Sequence, residues 1–245
     1  MTVSSDGQLL VIDAGSGIVS LGQELKKTCP NPGDFEVSIL ISHLHLDHII
    51  GLSKFIPVWS RRGKVKIYTV SRDERPLNEQ VTGIFGPPYW PISISDFPTV
   101  EYIPIELNTP FDIGVFKVTA FLACHPNFAI SFHVTDGRKK LVHLLDSEVA
   151  SMDSGSYGEM VSYCRDADVV IADAAYSSEH YLKRKGWGHS TVEDGIRLAD
   201  ACGCKRVMFA HYDQEYTDAD LDEWQKLTAG DERFIFTRDG MELVL

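Results

Sequence analysis

Ile39-Leu40-Ile41-Ser42-His43-Leu44-His45-Leu46-Asp47-His48 decides the reading of this chain, because an apolar run stops and three imidazoles and a carboxylate follow within six residues. Four metal-ligand side chains therefore share one loop. Imidazole with carboxylate is the donor set that suits zinc, manganese and iron, whereas clustered thiolates would have indicated a structural zinc or an iron–sulfur centre. In extended chain, side chains two residues apart share a face, so His43 and His45 can grip one cation. Asp47 and His48 lie beyond a turn and can open a second site. The competing reading is a solvated polar loop, and the apolar residues around these histidines argue against it.

Three more positions share that context. The pattern predicts strands over 115–123, 141–145 and 206–210, and each runs directly into a ligand-type residue: His125, Asp146 and His211. Taken alone, any of these could be a strand-terminal polar group bonded to a turn. Four strand ends delivering His, His, Asp and His make a constellation. The remaining pattern predicts strands at 9–12, 39–42, 64–70, 100–106, 128–135 and 169–172, and a closing hairpin of 233–237 with 242–245. Helices are expected over 19–27, 158–165 and 218–227. Another opens at Ser190, whose Ser-x-x-Glu spacing to Glu193 is that of a capping box, and runs to about residue 201. This order predicts an α/β protein, a four-layer αββα sandwich of two mixed β-sheets with helices on the outer faces, as a single domain over 1–245. Residues 71–98 are the least regular part. Within them Phe85, Tyr89 and Trp90 sit among prolines, and could form a wall over the site, pack beneath the loop or make a homodimer contact.

The whole chain narrows the function. Its 245 residues carry a formal charge of -12, which disfavours a protein built to grip extended nucleic acid and leaves small anionic substrates open. Short basic clusters at Arg61-Arg62-Gly63-Lys64, Arg138-Lys139-Lys140 and Lys183-Arg184-Lys185 read as solvated turns or helix faces. No stretch is apolar enough to cross a membrane, and residues 1–6 lack a secretory pattern, so the expected location is cytoplasmic. Five cysteines without framework spacing read as reduced thiols. Cys202-Gly203-Cys204 is expected to end a helix and enter a strand.

The motif His43-x-His45-x-Asp47-His48, with His125, Asp146 and His211 following in order, resembles the metallo-β-lactamase fold superfamily of metal-dependent hydrolases. The segments Ile12-Asp13-Ala14-Gly15-Ser16-Gly17, Asp173-Ala174-Ala175-Tyr176 and Gly186-Trp187-Gly188-His189-Ser190 are similar to the branch containing ribonuclease Z and the phosphonate-pathway cyclic phosphodiesterases. The resemblance implies two divalent metal ions, zinc or manganese, with iron as the other candidate. His43, His45 and His125 would hold the first, Asp47, His48 and His211 the second, and Asp146 would bridge them. The di-iron oxygen-reducing relatives carry Glu where His45 stands and bring a flavin domain. Two departures stand out. The branch has an extra strand and a Gly-Ser turn before the segment matching 9–17, so this chain is expected to lack that first strand or to shorten the edge of its first sheet. The long arm with which ribonuclease Z holds tRNA is not evident either.

Two metals about 3.5–4 Å apart can share a hydroxide and clamp the oxygens of a phosphodiester during in-line attack. Asp47 is then expected both to bind metal and to accept a hydrogen bond from the nucleophile. His189 is the candidate proton donor to the leaving alkoxide, and Asp173 the carboxylate that holds its other ring nitrogen. A bland alternative has His189 packing on Trp187 and Asp173 capping a turn. His133 and His143 are expected on strand faces and His180 on a helix surface. The leading expectation is a binuclear phosphodiesterase acting on a small or cyclic phosphodiester. Thioester or lactone hydrolysis, tRNA 3′-end endonuclease activity and a non-catalytic metal-sensing module are the alternatives.

Overall fold

The computed structural model describes residues 1–29, 31, 34–60, 62–94, 97–228 and 230–245. Arg61 of the first basic cluster, and residues 95 and 96 of the irregular segment, lie outside the described residues. The chain folds as two compact units, one of residues 1–109 with 113–115, the other of 110–112 with 116–245. Each unit carries one mixed sheet, and helices flank both.

In the first unit the strands are β1 (Thr2–Ser5), β2 (Gln8–Ile12), β3 (Glu36–Leu40), β4 (Lys64–Thr69) and β5 (Val100–Pro104), and they lie in that order across a five-stranded sheet. The short edge strand β1 pairs antiparallel with β2, and every later pair is parallel. Parallel strands need crossovers, and α1 (Ile18–Thr28), α2 (Leu46–Ile49), α3 (Ile56–Trp59) and α4 (Leu77–Thr82) supply them. The continuous apolar reading of 39–41 has its cause here, since Ile39, Leu40 and Ile41 are fully buried. Phe55, Val58, Ile67 and Val81 close the same core.

The segment 71–98 is more ordered than its composition suggests, because α4 starts directly after Pro76, where a fixed φ suits a helix entry. No helix or strand covers the described residues of 83–91, as their prolines dictate. Phe85 is buried and Trp90 packs half-buried on the unit's core, while Tyr89 is exposed. Packing beneath the loop is therefore the role that Phe85 and Trp90 play.

The second unit builds a seven-stranded sheet in the order β12-β11-β10-β9-β8-β7-β6. Its strands are β6 (Phe111–Ile113), β7 (Phe116–Leu122), β8 (Ile130–Thr135), β9 (Lys140–Leu144), β10 (Val169–Asp173), β11 (Val207–Ala210) and β12 (Phe234–Phe236). Strands β7, β8 and β9 form an antiparallel meander, the turn between the last two containing Asp136-Gly137, and β9 to β12 run parallel. The helices are α5 (Ser154–Cys164), α6 (Ser178–Arg184), α7 (Val192–Cys202) and α8 (Asp218–Gln225). Helix α7 packs on β10 and β11 and buries Leu198, Ala199 and Cys202 against Val170 and Phe209. It ends at Cys202 with Gly203 in the left-handed region, as the Cys-Gly-Cys spacing predicts.

Two expectations need correction. Helix α7 is capped one residue later than predicted: Thr191, not Ser190, accepts from the Asp194 amide, and Asp194 returns the capping-box bond in place of Glu193. Ser190 is drawn elsewhere, as its Oγ donates to the Ser147 carbonyl at 2.5 Å. The closing hairpin is also absent from the described residues, since 242–245 form no strand. Glu242, Val244 and Leu245 are exposed, so this segment buries too little apolar surface to hold a strand in place.

Candidate metal centre

In the first unit, β3 ends at Leu40 and the chain passes through Ser42 and His43 into α2, which begins right after His45. His43 and His48 are buried, whereas Asp47 is exposed. The ring of His43 lies 4.5 Å from that of His45 and 4.2 Å from that of His48, centroid to centroid. Asp47 Oδ2 stands 3.2 Å from His48 Nε2. All four side chains of the opening motif thus gather at the C-terminal end of one strand.

Their orientation is set by a residue to which the sequence assigned no role. Asp13, at the end of β2 with φ of 60°, accepts from the Ser42 amide at 2.7 Å and from the Ser42 hydroxyl at 2.9 Å. It also accepts from His48 Nδ1 at 2.8 Å. A carboxylate on Nδ1 fixes the tautomer and leaves Nε2 as the nitrogen His48 offers to a cation, which is how carboxylate–histidine–metal triads are built. The turn after Asp13 is close to α2: the Ala14 amide donates to the His48 carbonyl at 2.7 Å and the Gly51 amide to the Ala14 carbonyl at 2.8 Å. A Cβ on Gly51 would sit 2.1 Å from the Gly15 carbonyl oxygen, so only glycine permits that approach.

In the second unit, β9, β10 and β11 end side by side, and Asp146, Asp173 and His211 stand at or just past their C-terminal ends. Asp146 and Asp173 are both buried. The Asp173 carboxylate accepts from four directions: the amides of Ala175 and Ser190 at 3.0 Å each, the Asp146 amide at 3.1 Å and His189 Nδ1 at 3.0 Å. His211 Nδ1 lies 3.5 Å away. Burial pushes the Asp173 carboxyl up, but the bonds from His189 and His211 outweigh it and hold the group below its ordinary value. Burial likewise opposes charge on His189, yet the bond and charge of Asp173, with Asp146 behind it, leave the imidazole above its ordinary range.

Among the described residues of this unit, two groups have ligand atoms within 4.8 Å of one another: His125 with Asp146 and His189, and Asp173 with His189 and His211. His211 Nε2 also stands 3.6 Å from Asp146 Oδ2. The donors fit a hard-to-borderline dication, because each group combines imidazole nitrogen with a buried carboxylate, and buried carboxylates need a positive partner. Tyr176 meets the His189 ring edge-on at 5.6 Å. His189 packs on Tyr176, whereas Trp187 is exposed.

Sequence reasoning also missed Glu148. It is buried and accepts from the amides of Gly186 and Gly188 in the loop that carries His189. Nothing in Asp146-Ser147-Glu148-Val149 marked it as different from a surface glutamate. Asp13 did carry a signal, as it ends a strand and precedes a glycine turn. His143 is buried on β9, His133 lies on β8 and His180 on α6, the elements expected for them.

The sequence profile of the β-lactamase superfamily domain matches residues 9–212. Ribonuclease Z of Picrophilus torridus is 24% identical over 233 residues, spanning 75% of this chain and 71% of its own. The metallo-β-lactamase fold protein YhfI from Bacillus subtilis superposes with a TM-score of 0.73 at 18% identity, covering 98% of this chain and 89% of that one. A diphosphatase from the PhnP family superposes with a TM-score of 0.68 at 20% identity, covering 99% and 81%. The chain has the metallo-β-lactamase fold and belongs to the β-lactamase superfamily of hydrolases.

Proposed function

We propose that this chain is a binuclear metal phosphodiesterase acting on a small or cyclic phosphodiester. His43, His45, Asp47, His48, His125, Asp146 and His211 would hold two divalent cations, with Asp146 shared. When bound, such a pair supplies a nucleophilic water near neutral pH and positive charge for the phosphoryl oxygens. Asp47 is exposed and accepts a hydrogen bond from the attacking water, aiming its lone pair at phosphorus. His189 donates a proton from Nε2 to the leaving oxygen, while Asp173 keeps Nδ1 engaged and compensates the positive charge.

The observation that carries this reading is the 3.0 Å bond between Asp173 and His189 beside Asp146, because it builds a proton donor into a cluster of metal-type ligands. An alkoxide leaving phosphorus needs a proton, whereas a thiolate leaving a thioester does not. The five cysteines are free thiols, which suits a reducing cytoplasm. The relative named ribonuclease Z favours a second reading, cleavage at the 3′ end of tRNA. The charge of -12 weighs against it.

The test is turnover of bis(p-nitrophenyl) phosphate, a 2′,3′-cyclic nucleotide, pre-tRNA and a thioester by the manganese- and zinc-loaded chain, alongside metal analysis. Activity on the small diesters, lost with chelator and regained with metal, is the expected result. Preference for the thioester or for pre-tRNA, or metal content without turnover of any of the four, would overturn it.

A further inference from the structure

His189 directly follows the turn Gly186-Trp187-Gly188, two of whose three residues are glycines with φ of 87° and 93°. Such a segment has little stiffness of its own, since glycine gives up the most conformational freedom on ordering. Its placement is nevertheless tight, because a Cβ on Gly188 would sit 2.2 Å from Cδ2 of the His125 ring. Something outside the loop must hold it. The buried Glu148 carboxylate does so, taking the Gly186 amide at 2.9 Å on Oε1 and 3.0 Å on Oε2, and the Gly188 amide at 3.0 Å on Oε2. Tyr181 Oη at 2.9 Å and Ser151 Oγ at 2.5 Å both donate to Oε1 and hold the carboxylate in turn.

The same short segment also ties down the loop of His125. The Glu148 amide donates to the Cys124 carbonyl at 2.8 Å, and the Cys124 amide to Ser147 Oγ at 3.2 Å. Ser190, just beyond His189, donates through Oγ to the Ser147 carbonyl and accepts from the Val149 amide at 3.0 Å. Residues 147–149 therefore anchor both neighbours of Asp146 in space. Asp173 fixes the imidazole of His189 at one nitrogen and, through the Ser190 amide, the peptide that follows it, whereas Glu148 fixes the turn that precedes it.

We propose that Glu148 is a positioning residue, whose carboxylate locks the 186–188 turn so that His189 is presented to the leaving oxygen. The proposal rests on the phosphodiesterase reading. Glu148 touches no reacting atom; it acts through two backbone amides. A displacement of about 1 Å at a proton donor can cost on the order of 100-fold in rate, which sets the scale of the effect. Glutamine at this position keeps the shape but turns one of the two oxygens into a donor facing donors.

The experiment uses the full manganese-loaded chain with Glu148→Gln, Tyr181→Phe, His189→Ala and the Glu148→Gln/His189→Ala pair. Rates are compared on bis(p-nitrophenyl) phosphate, whose leaving group needs no proton, and on a 2′,3′-cyclic nucleotide, whose leaving group does. Glu148→Gln is expected to lose at least about 10-fold more on the cyclic nucleotide, with metal content kept, and amide exchange at 186–189 should quicken. The double variant should fall no lower than His189→Ala, as two residues acting through one group are not additive. Equal losses on both substrates for Glu148→Gln where His189→Ala discriminates, or multiplying losses in the pair, would overturn the proposal. Should Glu148→Gln fail to fold, Tyr181→Phe is read by the same criteria with a smaller effect. Should His189→Ala itself lose equally on both, the proton-donor reading falls, and Glu148 is judged by exchange alone: unchanged protection at 186–188 rejects it as the anchor.

Discussion

Asp13 shows how much of a candidate metal site sits in residues other than the proposed ligands. Its carboxylate takes the Ser42 amide, the Ser42 hydroxyl and His48 Nδ1, so it sets both the start of the motif loop and the ring orientation of its last histidine. Asp13→Asn keeps the volume but swaps one acceptor for an amide NH2, a donor that faces donor groups. Loss of such a carboxylate partner typically costs 10–100-fold in metal affinity. The expected outcome is therefore weaker zinc or manganese binding by about that factor, measured by competition with a chromophoric chelator, with the far-ultraviolet spectrum unchanged. Unchanged affinity would remove Asp13 from this role. At this scale the sequence exposes ligand types but not their supports. His43, His45, Asp47 and His48 are legible because four donors in six residues are improbable in a strand–loop junction. Asp13 gives a weak cue as a strand end before a glycine turn, but Glu148 becomes visible only when remote backbone amides are brought to its oxygens.

Elements were read correctly where periodicity or apolar runs dominate, and misread where one hydroxyl had two uses. Parallel strands buried on both faces leave continuous hydrophobic runs, which is why β3, β4, β10 and β11 could be placed to within a few residues. Ser190 and Thr191 are adjacent hydroxyls before a helix, and either could cap it. The fold gives the cap to Thr191 and spends Ser190 on Ser147 and Val149, a choice that local spacing cannot reveal. The two positions should accordingly fail differently. Thr191→Ala loses a helix cap and should cost about 1 kcal/mol of stability with turnover retained. Ser190→Ala leaves a buried amide and carbonyl without their hydroxyl, which costs about 1–3 kcal/mol, and loosens the tie between the segments bearing Asp146 and His189. Denaturant melts and turnover of a cyclic phosphodiester separate them. A Thr191→Ala variant that is the less active of the two would contradict this division.

Across the whole molecule, charge discriminates between substrates that the site chemistry treats alike. Thirty-five acidic residues against 23 lysines and arginines make the chain an anion. The basic clusters do little to offset this locally: Arg138 pairs with Asp136, Lys139 approaches Asp168, and Arg184 pairs with Glu215. A polynucleotide is held by displacing counterions from many phosphates, so its affinity falls by about 10³–10⁵ between 50 and 200 mM salt when 6–10 contacts are made. A small diester offers one or two charges, and Debye screening over that range alters such an interaction only modestly. For the phosphodiesterase reading, kcat/KM on a cyclic diester should change by less than about 3-fold across the same salt range, and should exceed that on pre-tRNA at every concentration. Steady-state rates at four salt concentrations are sufficient to decide. A steep inverse dependence accompanied by faster cleavage of pre-tRNA would mean that the acidic exterior conceals a local phosphate track, and would transfer the assignment to the ribonuclease reading that the Picrophilus torridus relative suggests.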